Sequence, residues 1–189
     1  MKSYDLSPLI SSIEIQRRVD LLARAINADY EGREVVVIGV LKGSFIFLSD
    51  LVRKLTIPIQ VDFVGLSSYG TETQTSGAVR ITKDVETDLA GRDVLVVEDI
   101  VDSGVTLDWF LTHLKRFDPR SIRVCALVDK HARRQVDLRV DYAGLSLDRG
   151  FLVGYGLDYS ENHRNLPDIY EVCFKPDAGQ SPTDGSIGE

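Results

Sequence analysis

The chain has 189 residues, 43% of them hydrophobic and 27% charged, the balance of a soluble globular protein long enough to bury about 70% of its unfolded surface. A formal net charge of −7 argues against sequence-independent nucleic-acid binding, which needs a cationic face to displace counterions. Two cysteines, Cys125 and Cys173, and three scattered histidines exclude a disulfide framework and a Cys/His metal site.

The opening residues Met1-Lys2-Ser3-Tyr4-Asp5 carry no apolar signal core, and no stretch reaches membrane-spanning length; a cytoplasmic chain with no membrane partner is expected. Ser11-Ser12-Ile13-Glu14 has capping-box spacing, with Ile10 and Ile15 placed as a hydrophobic staple. Ile15, Val19, Leu22, Ala23 and Ile26 then predict an amphipathic helix ending near Tyr30-Glu31-Gly32. Val35–Val40 reads as a buried strand, and the turn Leu41-Lys42-Gly43 leads into a helix with Phe45, Leu48, Leu51, Val52 and Leu55 on one face. Ile59, Val61 and Phe63 alternate as in a strand. From Gly65 to Gly77 the chain is polar, with Tyr69 its only large side chain, before a strand near Val79–Thr82.

Val94–Val97 is a strand with no polar face, so it belongs inside a parallel sheet. It runs into an acidic loop, Glu98-Asp99-Ile100-Val101-Asp102-Ser103-Gly104-Val105-Thr106, and then a helix over Leu107–Phe117. Asp118-Pro119 breaks that helix. Ile122–Val128 is the next buried strand, and Tyr142–Leu145, Phe151–Tyr155 and Ile169–Cys173 are shorter ones. From Lys175 to Glu189 little can be buried, which predicts a disordered tail. Strands alternating with helices make this an α/β protein with a parallel sheet.

Ligands of such sheets sit at the carboxyl ends of the strands, where the acids fall. The turn after them offers free N–H groups and a helix dipole to an anion, most simply a phosphate. Carboxylates do not bind phosphate, so Glu98, Asp99 and Asp102 must face hydroxyls, a metal ion or a proton in transit. A phosphorylated sugar with Mg²⁺ meets both demands.

The segment Glu98-Asp99-Ile100-Val101-Asp102-Ser103-Gly104 resembles the phosphoribosyl-pyrophosphate loop of type I phosphoribosyltransferases, in the form of the hypoxanthine-guanine (6-oxopurine) branch. Three further blocks between Val35 and Val172 match in the family's order: Gly39-Val40-Leu41-Lys42-Gly43-Ser44, Ser67-Ser68-Tyr69-Gly70, and Phe151-Leu152-Val153-Gly154-Tyr155-Gly156-Leu157-Asp158, with Lys130 after the strand Ile122–Asp129 as the specificity candidate. The resemblance implies a single domain over residues 1–174, with a parallel core sheet flanked by helices and a small hood built from both chain ends. It implies a purine-salvage enzyme joining hypoxanthine or guanine to 5-phosphoribosyl 1-pyrophosphate, with Mg²⁺, to give IMP or GMP and pyrophosphate.

Residue roles follow from the same resemblance. Amides and hydroxyls of Ser103, Gly104, Val105 and Thr106 would take the 5-phosphate, and Glu98 and Asp99 the ribose hydroxyls, directly or through the metal. Asp102 would be the acid/base at purine N7. Lys42, Gly43 and Arg164 would hold pyrophosphate, and Asp158 a second Mg²⁺. Lys130 would donate to the 6-oxo group, Phe151 stack on the base and the Leu152 backbone read its edge. Ser68 and Tyr69 would belong to a catalytic loop that closes over the site. His131, Arg133 and Arg134, beside Lys130, read as a solvated basic face. Homodimers or homotetramers are implied, with small molecules as the partners and no nucleic acid. A regulator of the same fold that binds nucleotide and RNA is a second reading, disfavoured by the net charge; xanthine or a pyrimidine as acceptor is a third.

Overall fold

The computed structural model describes residues 3–68, 79–148 and 150–175, so the expectations for Tyr69 and for the tail beyond Lys175 lie outside the described residues, as does the side chain of Ser68. The elements in chain order are β1 (Tyr4–Ile10), α1 (Ser12–Asp29), β2 (Val35–Leu41), α2 (Phe45–Val52), β3 (Ile59–Ser68), β4 (Val79–Lys83), β5 (Asp93–Val101), α3 (Val105–Leu114), β6 (Ser121–Lys130), β7 (Tyr142–Leu147), β8 (Leu152–Val153) and β9 (Ile169–Phe174). Among the described residues no helix is long and apolar enough to cross a membrane.

Six strands form one sheet in the order β4-β3-β2-β5-β6-β7, parallel throughout except for the edge strand β4, which runs antiparallel to β3. The runs of valine explain its centre. Alternate residues of β2 and β5 serve opposite layers, so both faces must be apolar. Val35, Val37, Leu95 and Val97 join the layer under α1 and α2, while Val36, Ile38, Val94 and Val96 join the layer under α3.

Several boundaries differ from those the sequence predicts. β5 continues through Glu98 and Asp99 to Val101, so these two acids sit on a strand rather than in a loop. The predicted helix over Leu107–Phe117 starts two residues earlier, at Val105, and tightens into a 3-10 turn over Lys115–Phe117. In α2 the buried face is Phe47, Leu48 and Leu51, and Phe45 is 45% exposed. Apolar residues fill most positions of this short helix, so periodicity could not choose the face. Of the capping box only half forms: Ser11 Oγ accepts from Glu14 N at 3.3 Å, while the Glu14 carboxylate takes Arg18 Nε at 2.6 Å. A second N-terminal donor, Ser12 N, bonds Asp168 Oδ1 at 2.6 Å, a cap brought from the far end of the chain.

That contact belongs to the second sheet, β1-β9-β8, antiparallel, built from both ends of the chain. β1 has no counterpart among the predicted elements. Pro8 and a largely unburied pattern hide it, and its order comes from pairing with β9. The expected strand over Phe151–Tyr155 shrinks to Leu152–Val153. Leu152, Tyr155, Leu157 and Ile169 pack in the same core cluster as α1 and β2, which seats the small sheet over the carboxyl ends of the large one.

Asp62 on β3 anchors the approach to β5. Burial pushes its carboxyl up, but the N–H groups of Thr87, Phe63 and Glu86 outweigh that and hold it at about 2. A carboxyl held below its unfolded value stabilises the fold above the unfolded pKa and loses that contribution as pH falls through the folded one. Asp62→Asn should therefore cost about 2 kcal/mol in urea unfolding at pH 7. The gap between variant and parent should narrow below about pH 4 and close toward pH 2; a gap of constant size over that range would contradict the assignment.

Candidate active site

Two adjoining cavities open above the carboxyl ends of β2, β5 and β6. The larger, about 530 Å³, is bordered by Asp99, Asp102, Lys130, Phe151, Leu152 and Asp158, among others. The smaller, about 260 Å³, is bordered by Glu98 and by Ser103, Gly104 and Thr106 of the turn after β5. Ile100 and Asp102 line both, so one ligand can span them.

The smaller cavity is an anion cradle. Gly104 adopts a left-handed conformation, φ 80°, and turns the chain from β5 into α3. No side chain caps α3, and its first intrahelical bond is Asp108 N to Gly104 O at 2.9 Å. The amides ahead of Asp108 therefore point outward unpaired within the helix, at the positive end of its dipole.

Glu98 and Asp99, as successive strand residues, face different cavities. Glu98 Oε2 is buried with no hydrogen-bond partner among the described residues. Burial, reinforced by the Asp99 charge, pushes the Glu98 carboxyl well above the ordinary range. Asp99 is raised to about 6, also by burial first, against the N–H groups of Ile100 and of Asp99 itself. Both acids are thus poised to gain from a cation or a ligand hydroxyl. The neighbour of Asp99 is the turn after β2: a Cβ added to Gly43 would lie 1.8 Å from Asp99 Oδ2, so only glycine lets this turn meet the end of β5. The preceding Leu41–Lys42 peptide is cis.

Asp102 stands where the two cavities join. Its Oδ1 is buried and unpartnered among the described residues, and Oδ2 lies 3.4 Å from Arg133 Nη1. Lys130, 6% exposed, donates from Nζ to Gly150 O. Asp129, its neighbour in sequence, does not draw the ammonium away, because it pairs with Arg134 and with His131 at 3.4 Å. Phe151 is 43% exposed toward the cavity and braced edge-on by Tyr159 and Phe174, with ring centroids 5.4 and 6.2 Å away. A core phenylalanine would not present its face this way. Val172 N bonds Phe151 O at 2.7 Å; ladder alternation then turns the N–H and C=O of Leu152 away from β9, at the open edge of the small sheet.

The remaining predicted cations also converge. Arg164 donates from Nη1 to Gly156 O at 2.8 Å and pairs with Asp158 Oδ1 at 2.7 Å, leaving its buried Nε without a partner among the described residues. Lys42 reaches the same loop through Glu161, at 2.9 Å, and Arg164 Nη2 lies 3.4 Å from the other Glu161 oxygen. Glu161 is a residue sequence reasoning missed; in the run Asp158-Tyr159-Ser160-Glu161 nothing marks it as the carboxylate that bridges the two cations. Arg134 overturns an expectation outright. It is 14% exposed and bonded on every side rather than part of a solvated face.

The phosphoribosyl transferase domain family matches residues 11–160. The chain is 45% identical to a hypoxanthine-guanine phosphoribosyltransferase of Mycobacterium avium over 166 residues, 85% of this chain and 82% of that one. It is 41% identical to the hypoxanthine phosphoribosyltransferase of Haemophilus influenzae over 178 residues, covering 93% and 99% of the two chains. A crystal structure of a hypoxanthine-guanine phosphoribosyltransferase from Bacillus anthracis, with HEPES in its active site, superposes with a TM-score of 0.84 at 42% identity, covering 90% of this chain and 99% of that one.

Proposed function

Since the chain belongs to the phosphoribosyl transferase family, we propose that it transfers the 5-phosphoribosyl group of phosphoribosyl pyrophosphate to N9 of hypoxanthine or guanine, releasing pyrophosphate with IMP or GMP. The observation that carries this reading is the convergence of Asp102, Lys130, Phe151 and Asp158 on one cavity that continues into the anion cradle. A nucleotide has that layout: a flat polar base at one end and a phosphate at the other.

In this reading the amides of Ser103, Gly104, Val105 and Thr106 hold the 5-phosphate, while Glu98 and Asp99 accept from the ribose hydroxyls. Lys42, the Gly43 turn and Arg164 bind the departing pyrophosphate, which displaces Glu161 from between the two cations. Phe151 stacks on the base, the Leu152 backbone meets its edge and Lys130 donates to the 6-oxo oxygen. An ammonium only donates, so adenine's 6-amino group meets a donor with a donor. Asp102 takes or returns the proton at N7.

The carboxylates suit Mg²⁺, which takes oxygen ligands from one or two side chains and completes its shell with phosphates and water. Asp158 and Asp99, which line the larger cavity, and the buried unpartnered oxygen of Glu98, which lines the smaller, are the groups that would hold it. Bound there, the ion supplies charge neutralisation for the diphosphate. The shared core of the two sheets supports treating residues 1–174 as one domain. A cytoplasmic homodimer or homotetramer belongs to the same proposal.

Initial rates with hypoxanthine, guanine, xanthine and adenine, each with the donor and Mg²⁺, test it. Turnover is expected with the first two and not with adenine. Activity with adenine alone, or with none of the four, would contradict the reading.

A further inference from the structure

In the proposed reading Asp102 and Lys130 meet N7 and O6, neighbouring atoms on one edge of the purine, yet Asp102 follows the end of β5 while Lys130 ends β6. The last register pair between β5 and β6 is Val101 with Asp129, so the β5–β6 ladder no longer fixes Asp102 against Lys130, although Lys130 still pairs with Leu147 of β7. Backbone carbonyls between the two strands have no ladder partner beyond that pair and need others.

A single buried side chain supplies them. Arg134 donates from Nε to Asp102 O at 3.2 Å, from Nη1 to Leu138 O at 2.9 Å and from Nη2 to Lys130 O at 3.0 Å, with Val101 O more distant at 3.5 Å. Its charge is met by Asp129, itself buried between β5 and β7 in register with Val101 and Ser146. The same segment braces the anion cradle: Gln135 N donates to Ser103 O at 2.9 Å, and a Cβ on Gly104 would lie 3.1 Å from Arg134 Cδ. Only a guanidinium offers five donors in a rigid plane; an ammonium could keep the ion pair but not the fork.

We infer that Arg134 is a positioning residue for the transfer reaction, its guanidinium fixing the backbone of Asp102 against that of Lys130 so that proton transfer at N7 and recognition at the 6-oxo group occur on one base. The inference rests on the function proposed above and assigns Arg134 no contact with substrate. A displacement of about 1 Å between such groups can cost on the order of a hundredfold in rate.

The test is Arg134→Lys, with folding checked by thermal melting. Hypoxanthine kcat/KM should fall at least about tenfold with a raised hypoxanthine KM, while inhibition by pyrophosphate, bound at Lys42 and Arg164, stays within about twofold. In an Asp102→Asn background the same substitution should lower kcat by less than about twofold, because the group it positions is already disabled. Full activity in Arg134→Lys, or an equal loss in both backgrounds, would overturn the inference. If Arg134→Lys does not fold, Asp129→Asn removes only the anchoring charge and should give the same selective loss; unchanged hypoxanthine kinetics in that folded variant would overturn it. Absence of hypoxanthine turnover in the unmodified enzyme would overturn the parent reading and this inference with it.

Discussion

Asp102→Asn is expected to lower kcat for hypoxanthine by roughly 10²- to 10⁴-fold, the range associated with a positioned acid or base, while donor affinity changes little. The asymmetry follows from where the side chain sits. In the proposed reading the donor's phosphates are met by the amides after Asp102 and by Lys42 and Arg164, and an amide at position 102 leaves those groups in place. Asparagine keeps the shape of aspartate but removes the charge that receives a proton. Asp102 has one oxygen buried without a partner among the described residues and the other 3.4 Å from exposed Arg133, so the carboxylate is free to engage a ligand. Rates at saturating donor, with donor affinity measured separately, separate the two effects. Equal activity in the variant would remove Asp102 from proton transfer.

Lys130→Met should lower hypoxanthine kcat/KM by about a hundredfold or more and collapse the discrimination against adenine. Methionine retains the apolar stem, so the loss reports on the ammonium. Lys130 is buried and its Nζ is held by Gly150 O, which fixes the donor at the cavity wall before any base arrives. A charged hydrogen bond of this kind is worth about 1.5–3 kcal/mol, and the mispaired alternative is penalised by more. Competing initial rates on the two bases give the ratio directly. An unchanged ratio would place base selection elsewhere in the cavity.

How much of this was legible in the chain depends on the range of the interactions involved. The parallel core was readable because a strand buried on both faces must be apolar at every position, as Val35–Val40 and Val94–Val97 are. The cradle was readable because turn, glycine and helix start are neighbours in sequence. β1 was not, because its order comes from pairing Tyr4 with Phe174 and Leu6 with Val172 across the whole chain. The same holds for Asp168 as the cap of α1 and for Glu161 between Lys42 and Arg164. Arg134 was misread for a related reason: a basic run on the sequence looks solvated, and only folding brings carbonyls from Asp102, Lys130 and Leu138 around it. That the α2 face was misplaced at Phe45 shows the converse limit, a short helix so apolar that its pattern names no side.

Crystals of the protein with bound IMP give the most direct measurement. The 5-phosphate should rest on the amides from Ser103 to Thr106, the ring should stack on Phe151, Lys130 should meet O6 and Asp102 should lie within hydrogen-bond distance of N7. A nucleotide seated outside the two joined cavities, or bound with its base over the cradle and its phosphate at Phe151, would contradict the account.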